Sequence, residues 1–252
     1  MSSLIQNTTS SVPTLATIVN LTNYRDNKNK THKGFTSDGR PLPRAAQPIK
    51  DEADIQKIMN YFLNNNQQYK YRNYMMFVMG INVGRRAGDI LDLKIGDVFD
   101  GKNVIAGKEI HIIESKTRKP FDLFLNKYVV SAIELYLCSL DNINLDNYLF
   151  YSKRARTKGE FIGEHVLSVR SAWRILNDAV KDLGMETHVG THTMRKSFAW
   201  KIYNEYPDSK EALSVLQDML GHRSSRDTLR YIGDLAESRK NIMMSLDWHT
   251  DI

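Results

Sequence analysis

The sequence predicts an α+β fold that is mostly α-helical and carries one small antiparallel β-sheet. Apolar residues recur at helical spacing through most of the chain after residue 50. The spacing changes to alternation around residues 109–125, where two short apolar segments flank a polar turn. With 252 residues, 41% of them apolar, the chain is long enough to bury a substantial core.

The composition changes near residue 47. Residues 1–47 are rich in Ser, Thr, Asn, Lys and Pro and have no sustained period, which is typical of an arm or linker. Residues 48–252 are predicted to form one folded domain.

Three helices are predicted before the sheet. The first starts at Asp51 and ends at the asparagine run 64–66. The second, Tyr71–Val83, is rich in apolar residues, as expected of a buried helix, and Gly84 stops it. The third helix, Ala87–Leu93, is short.

The sheet is predicted to be built on a hairpin. Its strands are Glu109–Ser115 and Phe121–Leu125, joined by the turn Lys116–Pro120. A third strand is predicted at either Val98–Phe99 or Val104–Ile105.

Helical spacing resumes after the hairpin. The predicted helices are Lys127–Leu140, Glu164–Leu183, Thr191–Tyr206, Lys210–Leu220 and Leu235–Leu246. The last of these is amphipathic and includes the apolar residues Leu235, Ile242, Met243 and Leu246.

Positive charge is concentrated in the arm. Five of the six net positive charges lie in the first fifty residues, and the rest of the chain is nearly neutral. This distribution predicts a polyanionic partner, nucleic acid before membrane. The alternative is a solvated tail with no binding role. The candidate DNA-binding residues of the arm are Arg25, Lys28, Lys30, Lys33, Arg40 and Arg44.

Composition also excludes several classes of protein. Cys138 is the single cysteine, so the chain has no disulfide framework, and a reducing cytoplasm is expected. No apolar run approaches the roughly 18 residues of a membrane span. The mildly apolar segment Val12–Leu21 has no preceding Lys or Arg, which argues against a secretory signal.

The segment from Thr191 to Arg195 predicts an anion site. With Thr191 as N-cap, His192 and Arg195 would share one face of the first helical turn, where unpaired amides favour an anion. A guanidinium and an imidazole at one point suit a phosphate. The apolar stripe that would fix this helix to a core is Met194, Phe198, Ala199 and Ile202.

Five more residues complete the candidate site. Arg86 stands at a predicted helix start, with Asp89 one turn on to orient it. The hairpin turn offers Lys116. The segment Leu220–Ser225 presents His222, and Tyr231 follows nine residues later.

These segments, in this order, resemble the tyrosine recombinase (phage integrase) family. The resemblance runs from about Pro48 to Lys240. In that family a glycine–apolar–arginine–x–x–acid segment, a lysine in a β-turn, a His-x-x-Arg helix, a Leu-Gly-His segment and a tyrosine follow one another. The resemblance implies a tyrosine-recombinase-like catalytic domain.

The resemblance also implies the role of each residue. Tyr231 would be the nucleophile that cleaves DNA and forms a 3′-phosphotyrosyl intermediate, and Asp89 would support Arg86. The other catalytic residues would be Arg86, Lys116, His192, Arg195 and His222. No cofactor, metal or nucleotide is expected, and no carboxylate cluster suited to Mg²⁺ is evident.

Several assignments have rivals within the chain. Arg85 competes with Arg86, although the three-residue spacing to Asp89 favours Arg86. Lys119 competes with Lys116. The rivals of Tyr231 are Tyr203 and Tyr206, which lack its register to His222.

The chain departs from the family pattern in two respects. Lys196 stands where a second histidine is frequent, which need not affect the chemistry. Only about fifty residues precede the catalytic domain, so the chain resembles reduced members without a full DNA clamp.

The resemblance implies that helix 235–246 docks in a neighbouring subunit, within a homo-tetramer on paired DNA sites. The alternative is that this helix packs on its own domain.

The sequence therefore predicts a site-specific recombinase or integrase of a bacterial mobile element or phage, acting on double-stranded DNA in the cytoplasm, at the nucleoid. One alternative is a type IB topoisomerase, which nicks and reseals one strand. Another is a catalytically silent DNA-binding regulator.

Overall fold

The structure, a computed structural model, describes residues 45–64, 68–107, 109–115, 118–152, 165–206, 210–233 and 243–244. Within them the predicted fold class is confirmed: helices dominate, and the sheet is a two-stranded antiparallel hairpin. Among these residues, no helix combines the length and the apolar character that crossing a bilayer requires.

The first three helices before the sheet follow the predicted pattern, and a fourth was not predicted. They are α1 (Glu52–Asn64), α2 (Lys70–Asn82), α3 (Ala87–Leu91) and α4 (Ile95–Val98). Helix α4 replaces one of the two predicted third strands. Asp97 explains it, because its Oδ2 accepts a hydrogen bond from the Lys94 amide at 2.7 Å and so caps a helical turn.

The other candidate for a third strand is also wrong. Phe99 and Val104 form only an isolated antiparallel bridge outside the sheet. The strands are β1 (Ile110–Ile113) and β2 (Pro120–Leu123), paired from Ile110 opposite Leu123 to Ile113 opposite Pro120.

The later helices are α5 (Lys127–Leu137), α6 (Val169–Asp182), α7 (Thr193–Glu205), α8 (Lys210–Leu220) and α9 (Ser225–Ile232). Helix α6 begins after Ser168, whose Oγ accepts a hydrogen bond from the Ser171 amide. Glu164, the predicted start, lies outside the described residues, but residues 165–168 are not helical, so the helix begins later than predicted. Of the predicted helix 235–246 only Met243 and Met244 are described, and both are helical.

Helix α9 was not predicted, although its sequence carries both end markers. The Ser224 hydroxyl accepts a hydrogen bond from the Asp227 amide at the N-terminus. Gly233 ends the helix in the left-handed region at φ +86°. This short helix carries Tyr231.

Two glycines set the distance between α2 and α7. A Cβ on Gly80 would lie 2.4 Å from the Met194 sulfur, and one on Gly84 would lie 2.3 Å from the Phe198 ring. Gly84 also has φ +64°, which ends the buried helix as predicted. Helix α7 therefore packs closely against α2, and its N-terminal end is held in a fixed position.

Helix α7 joins two apolar clusters. Met194 packs with α1, α2 and α6, whereas Phe198 and Ala199 pack with Leu216, Leu220 and Ile232 of α8 and α9. The predicted apolar stripe of α7 thus packs against α8 and α9, and this packing holds α9 beside α7.

Candidate active site

The start of α7 differs from the prediction by one residue. His192, not Thr191, occupies the N-cap position, and its side chain makes no capping hydrogen bond. The Thr193 hydroxyl instead accepts a hydrogen bond from the Gly190 amide at 2.9 Å. The His192 imidazole therefore does not cap the helix and lies at its N-terminal end.

Tyr231 reaches this point from α9. Its Oη lies 3.4 Å from Nδ1 of His192, and its ring lies 5.1 Å from that of His222, measured between centroids. The rivals Tyr203 and Tyr206 lie in the last turn of α7 and beyond it, about three helical turns from His192. Of the three tyrosines, the structure brings Tyr231 to the predicted histidines.

Arg195 is buried behind this pair. Its side chain is 5% exposed, and its Nη2 donates a hydrogen bond to the Leu220 carbonyl at 2.9 Å. Its Nε is buried and has no hydrogen-bond partner among the described residues. A buried guanidinium with an unused N–H can receive an anionic oxygen.

The structure separates Arg86 from its rival Arg85. The Arg85 guanidinium stacks 3.8 Å above the Phe121 ring and donates to the Met219 carbonyl. The Arg86 side chain lines a cleft of about 220 Å³ together with Asp89, His192 and neighbouring residues. This position agrees with the spacing that favours Arg86.

Asp89 connects Arg86 to the hairpin. Its Oδ2 lies 3.9 Å from Nη1 of Arg86, and its Oδ1 accepts a hydrogen bond from the Ser115 amide at 2.9 Å. Ser115 directly precedes Lys116, which lies outside the described residues. Lys119 lines a second cleft, of about 520 Å³, together with His222.

Glu114 is a residue of the site that was not predicted from the sequence. This carboxylate is buried and lies 2.7 Å from Nη1 of Arg86, and 3.8 Å from Nη1 of Arg85. Alternation along β1 could have revealed it, because Ile110, Ile112 and Glu114 point to the same face of the strand. A carboxylate on an inward face needs cationic partners.

Thr228 was also missed. Its buried hydroxyl lies 3.1 Å from Nδ1 of His222 and so sets the orientation of the imidazole. Burial, together with Arg195, lowers the pKa of His222, which favours the neutral imidazole.

Burial and charge act in opposite directions on Tyr231. Burial raises the pKa of Tyr231 to about 12, although Arg195 and Arg86 lower it. A phenol with this pKa is protonated at neutral pH. Tyr231 therefore needs a base to take its proton and further cations to stabilise the phenolate before it can attack.

Other predicted residues are not placed in this pocket. The arm residues Arg25, Lys28, Lys30, Lys33, Arg40 and Arg44 lie outside the described residues. One group of described side chains could hold a metal ion, namely Glu109, His111 and Asp122 on the exposed hairpin. It lines neither of the two clefts beside Tyr231.

The chain is similar to known recombinases. The model of the phage integrase family matches residues 50–237. The probable integrase/recombinase YoeC of Bacillus subtilis (strain 168) is 34% identical over 187 residues, which are 74% of this chain and 89% of that protein. The tyrosine recombinase XerD of Chlamydia pneumoniae is 28% identical over 179 residues, 69% of this chain and 52% of that protein. The chain thus spans about half the length of this XerD.

Solved structures share the fold. The XerA recombinase superposes with a TM-score of 0.56 at 21% identity, covering 82% of this chain and 67% of that one. The XerH site-specific recombinase, in a pre-cleavage complex with its difH substrate, superposes with a TM-score of 0.55 at 18% identity, covering 90% and 63%. The family model matches about three quarters of the residues of this chain. The chain therefore belongs to the phage integrase family, the tyrosine recombinases, which break and rejoin DNA.

Proposed function

We propose that the chain is a site-specific DNA recombinase or integrase that cleaves and rejoins strands through a 3′-phosphotyrosyl intermediate. The observation that carries the proposal is the position of the Tyr231 hydroxyl, 3.4 Å from His192 and beside a buried arginine of the same chain. Nucleophile and pocket therefore belong to one protomer.

In the proposed reaction, cations hold the scissile phosphate. Attack by a phenol passes through a five-coordinate phosphorus with strongly anionic non-bridging oxygens. Arg86 and Arg195 hold these oxygens, and the neutral His222 donates a further hydrogen bond. Preorganised donors of this kind stabilise a transition state by roughly 3–4 kcal/mol each.

Two proton transfers accompany the attack. The bond from Tyr231 Oη to phosphorus forms while the bond from phosphorus to the 5′-oxygen breaks. His192 accepts the phenolic proton, since its Nδ1 is already within reach. Lys116 donates a proton to the leaving 5′-oxygen. Its neighbour Ser115 is held by Asp89 at the cleft that His192 also lines, which supports this role.

The intermediate preserves the energy of the phosphodiester bond. The 5′-hydroxyl of a second strand can therefore attack the phosphotyrosine and join without a nucleotide or a metal ion. Attack by the original strand restores the DNA, which is the outcome in a topoisomerase.

One experiment separates the recombinase from both alternatives. The chain's own site, selected from random duplexes by binding, is supplied with a nick just 3′ of the cleavage point. A covalent adduct supports an enzyme, and absence of any adduct supports the silent regulator. Paired intact sites that exchange strands support the recombinase, whereas relaxation of supercoils alone supports the topoisomerase.

We further propose that double-stranded DNA is the partner of the basic arm. Replacing its six candidate residues by glutamine should flatten the slope of log binding constant against log salt by about 0.9 for each lost phosphate contact. The measurement is a titration of the site duplex at several salt concentrations. Six glutamines at neutral polar positions of residues 1–47 serve as control. Equal slopes for both variants would contradict a role of the arm.

Recombination requires paired sites, and we propose that helix 235–246 docks in the neighbouring protomer of a tetramer. Truncation after Arg239 should leave binding to one site intact and reduce strand exchange at least about tenfold, because docked apolar anchors dominate interface energy. Truncation after Trp248, which keeps the helix, is the control. Unchanged pairing and exchange in the shorter chain would contradict docking.

A further inference from the structure

Lys196 contacts the proposed nucleophile and is not one of the proposed catalytic residues. Its Nζ lies 5.0 Å from the centroid of the Tyr231 ring. It stands one helical turn after His192 on α7, and its amide donates a hydrogen bond to the His192 carbonyl at 2.9 Å. Lys196 and His192 therefore approach Tyr231 from the same side of α7.

The Lys196 ammonium contacts the Tyr231 ring in a different geometry from the two histidines. His222 and His192 both meet the ring in T-shaped contacts, with interplanar angles of 68° and 85°. The Lys196 ammonium lies over the ring instead. Within the part of the chain that the structure describes, no carboxylate forms an ion pair with Lys196, and burial alone lowers its pKa. Among the described residues, the ammonium group thus contacts the Tyr231 ring.

A cation over a phenol ring favours the anionic form of the phenol. The ring face is negative and attracts a cation, and this attraction increases when the surroundings exclude water. The charge of a phenolate is shared with the ring carbons, so the attraction grows on ionisation. Burial raises the pKa of Tyr231, and Arg195 and Arg86 lower it. The Lys196 ammonium over the ring adds a further cation that opposes the effect of burial.

We propose that Lys196 is a positioning residue for strand transfer, holding the Tyr231 ring in the pocket and stabilising its phenolate. This inference rests on the proposed function for its effect on cleavage, whereas the effect on Tyr231 ionisation exists without DNA. Lys196 neither gives nor takes a proton in the reaction. His192 still accepts the phenolic proton, and the 5′-oxygen still leaves with a proton from Lys116.

The two directions of the reaction are affected equally. Tyr231 attacks as an incipient phenolate in cleavage and departs as one in rejoining. Loss of the Lys196 charge therefore slows both steps by one factor and leaves the equilibrium fraction of adduct unchanged. A residue that only bound DNA would change the substrate concentration needed for half-maximal rate instead.

Other charged and titratable groups around Tyr231 must stay constant in a test. They come from the segment before α3, the start of α7, the segment before α9 and α9 itself: Arg86, His192, Arg195, His222, Asp227 and Arg230. Substitutions at position 196 leave all of them in place.

The first arm of the experiment measures ionisation without DNA. The full chain carries 3,5-difluorotyrosine at position 231, whose phenol is more acidic, and ¹⁹F NMR follows its titration. Lys196→Gln should lower the acid dissociation constant of this phenol roughly tenfold. Lys196→Arg keeps the charge and should leave the constant near that of the parent. Lys201→Gln, on the same helix but paired with Glu52, is the matched control.

The second arm measures cleavage of the nicked site duplex against pH. Lys196→Gln should slow adduct formation and rejoining each about tenfold at neutral pH. Lys196→His should be faster than Lys196→Gln below the usual imidazole pKa and equal to it well above, because its charge is lost there. In the Lys196→Gln variant, 3,5-difluorotyrosine at position 231 should restore much of the lost cleavage rate, because this phenol is more acidic.

The two arms fail separately. An unchanged ¹⁹F titration in Lys196→Gln would overturn the inference, whatever the chain does to DNA. The same holds for an adduct rate and pH profile equal to those of the parent. A parent chain that titrates as expected but forms no adduct would overturn the proposed function, while the contribution of Lys196 to Tyr231 ionisation would stand.

Discussion

Tyr231→Phe should abolish adduct formation and strand exchange, with a loss of roughly 10⁴-fold or more by analogy with removal of other enzymatic nucleophiles. The substitution removes one oxygen, the atom that lies 3.4 Å from His192. The ring contacts with His192, His222 and Lys196 need no hydroxyl, so binding to the site duplex should change little. The measurement is the adduct band of labelled duplex on a denaturing gel, with affinity measured in parallel.

Tyr206→Phe is the control for this substitution. Tyr206 is an exposed tyrosine at the end of α7, far along the helix from His192. The Tyr206→Phe variant should cleave DNA at the rate of the parent. Adduct formed by Tyr231→Phe at a rate near that of the parent would contradict the assignment of the nucleophile.

Arg195→Lys should slow cleavage about 10²–10³-fold. A lysine keeps the positive charge but cannot hold the Leu220 carbonyl and two phosphate oxygens at once, as a planar guanidinium can. Affinity for the site duplex should fall much less, because the flanking phosphate contacts remain. Single-turnover rates at saturating protein measure the first effect, and titrations measure the second.

Arg230→Lys provides the comparison for Arg195→Lys. Arg230 is an exposed arginine of α9 that pairs with Asp227. Its replacement by lysine should leave the cleavage rate within about twofold of the parent rate. Thermal unfolding of both variants checks that each is folded at the assay temperature. A rate for Arg195→Lys within threefold of the parent would contradict the proposed transition-state contact.

Much of the fold follows from local pattern. The hairpin was predicted because alternation over 109–125 differs from the helical spacing around it, and β1 and β2 confirm it. Helix α4 was not foreseen, since four residues are too few to establish a period, and the Asp97 cap decided the outcome. Helix α9 was missed for a similar reason, although Ser224 and Gly233 mark its ends.

The candidate site was predictable where residue type and spacing suffice. Those features brought Arg195, His192, His222 and Tyr231 into one set, and the structure brings them together. The N-cap was not predictable, because capping preference favours Thr191, whereas the helix begins at Thr193 after His192 and the Thr193 hydroxyl accepts a hydrogen bond from the Gly190 amide.

Contacts across distant segments were beyond the reach of the sequence. Glu114 meets Arg86 only because β1 ends beside α3, and Lys196 meets Tyr231 only because α9 folds back on α7. Neither pair has a local spacing rule. The contact between Lys196 and Tyr231 depends on apolar packing that lies elsewhere, in particular on Ile232 and Leu220.

The central claim is that DNA becomes attached to Tyr231, and peptide mapping of the adduct tests it most directly. Trypsin separates the candidates, because Tyr231 falls in the peptide Tyr231–Arg239 while Tyr203 and Tyr206 share Ile202–Lys210. After nuclease digestion, mass spectrometry should find a nucleotide joined through its 3′-phosphate to Tyr231, and the released strand should carry a 5′-hydroxyl. A nucleotide on Ile202–Lys210, a 5′-phosphate linkage, or no modified peptide at all would contradict the account.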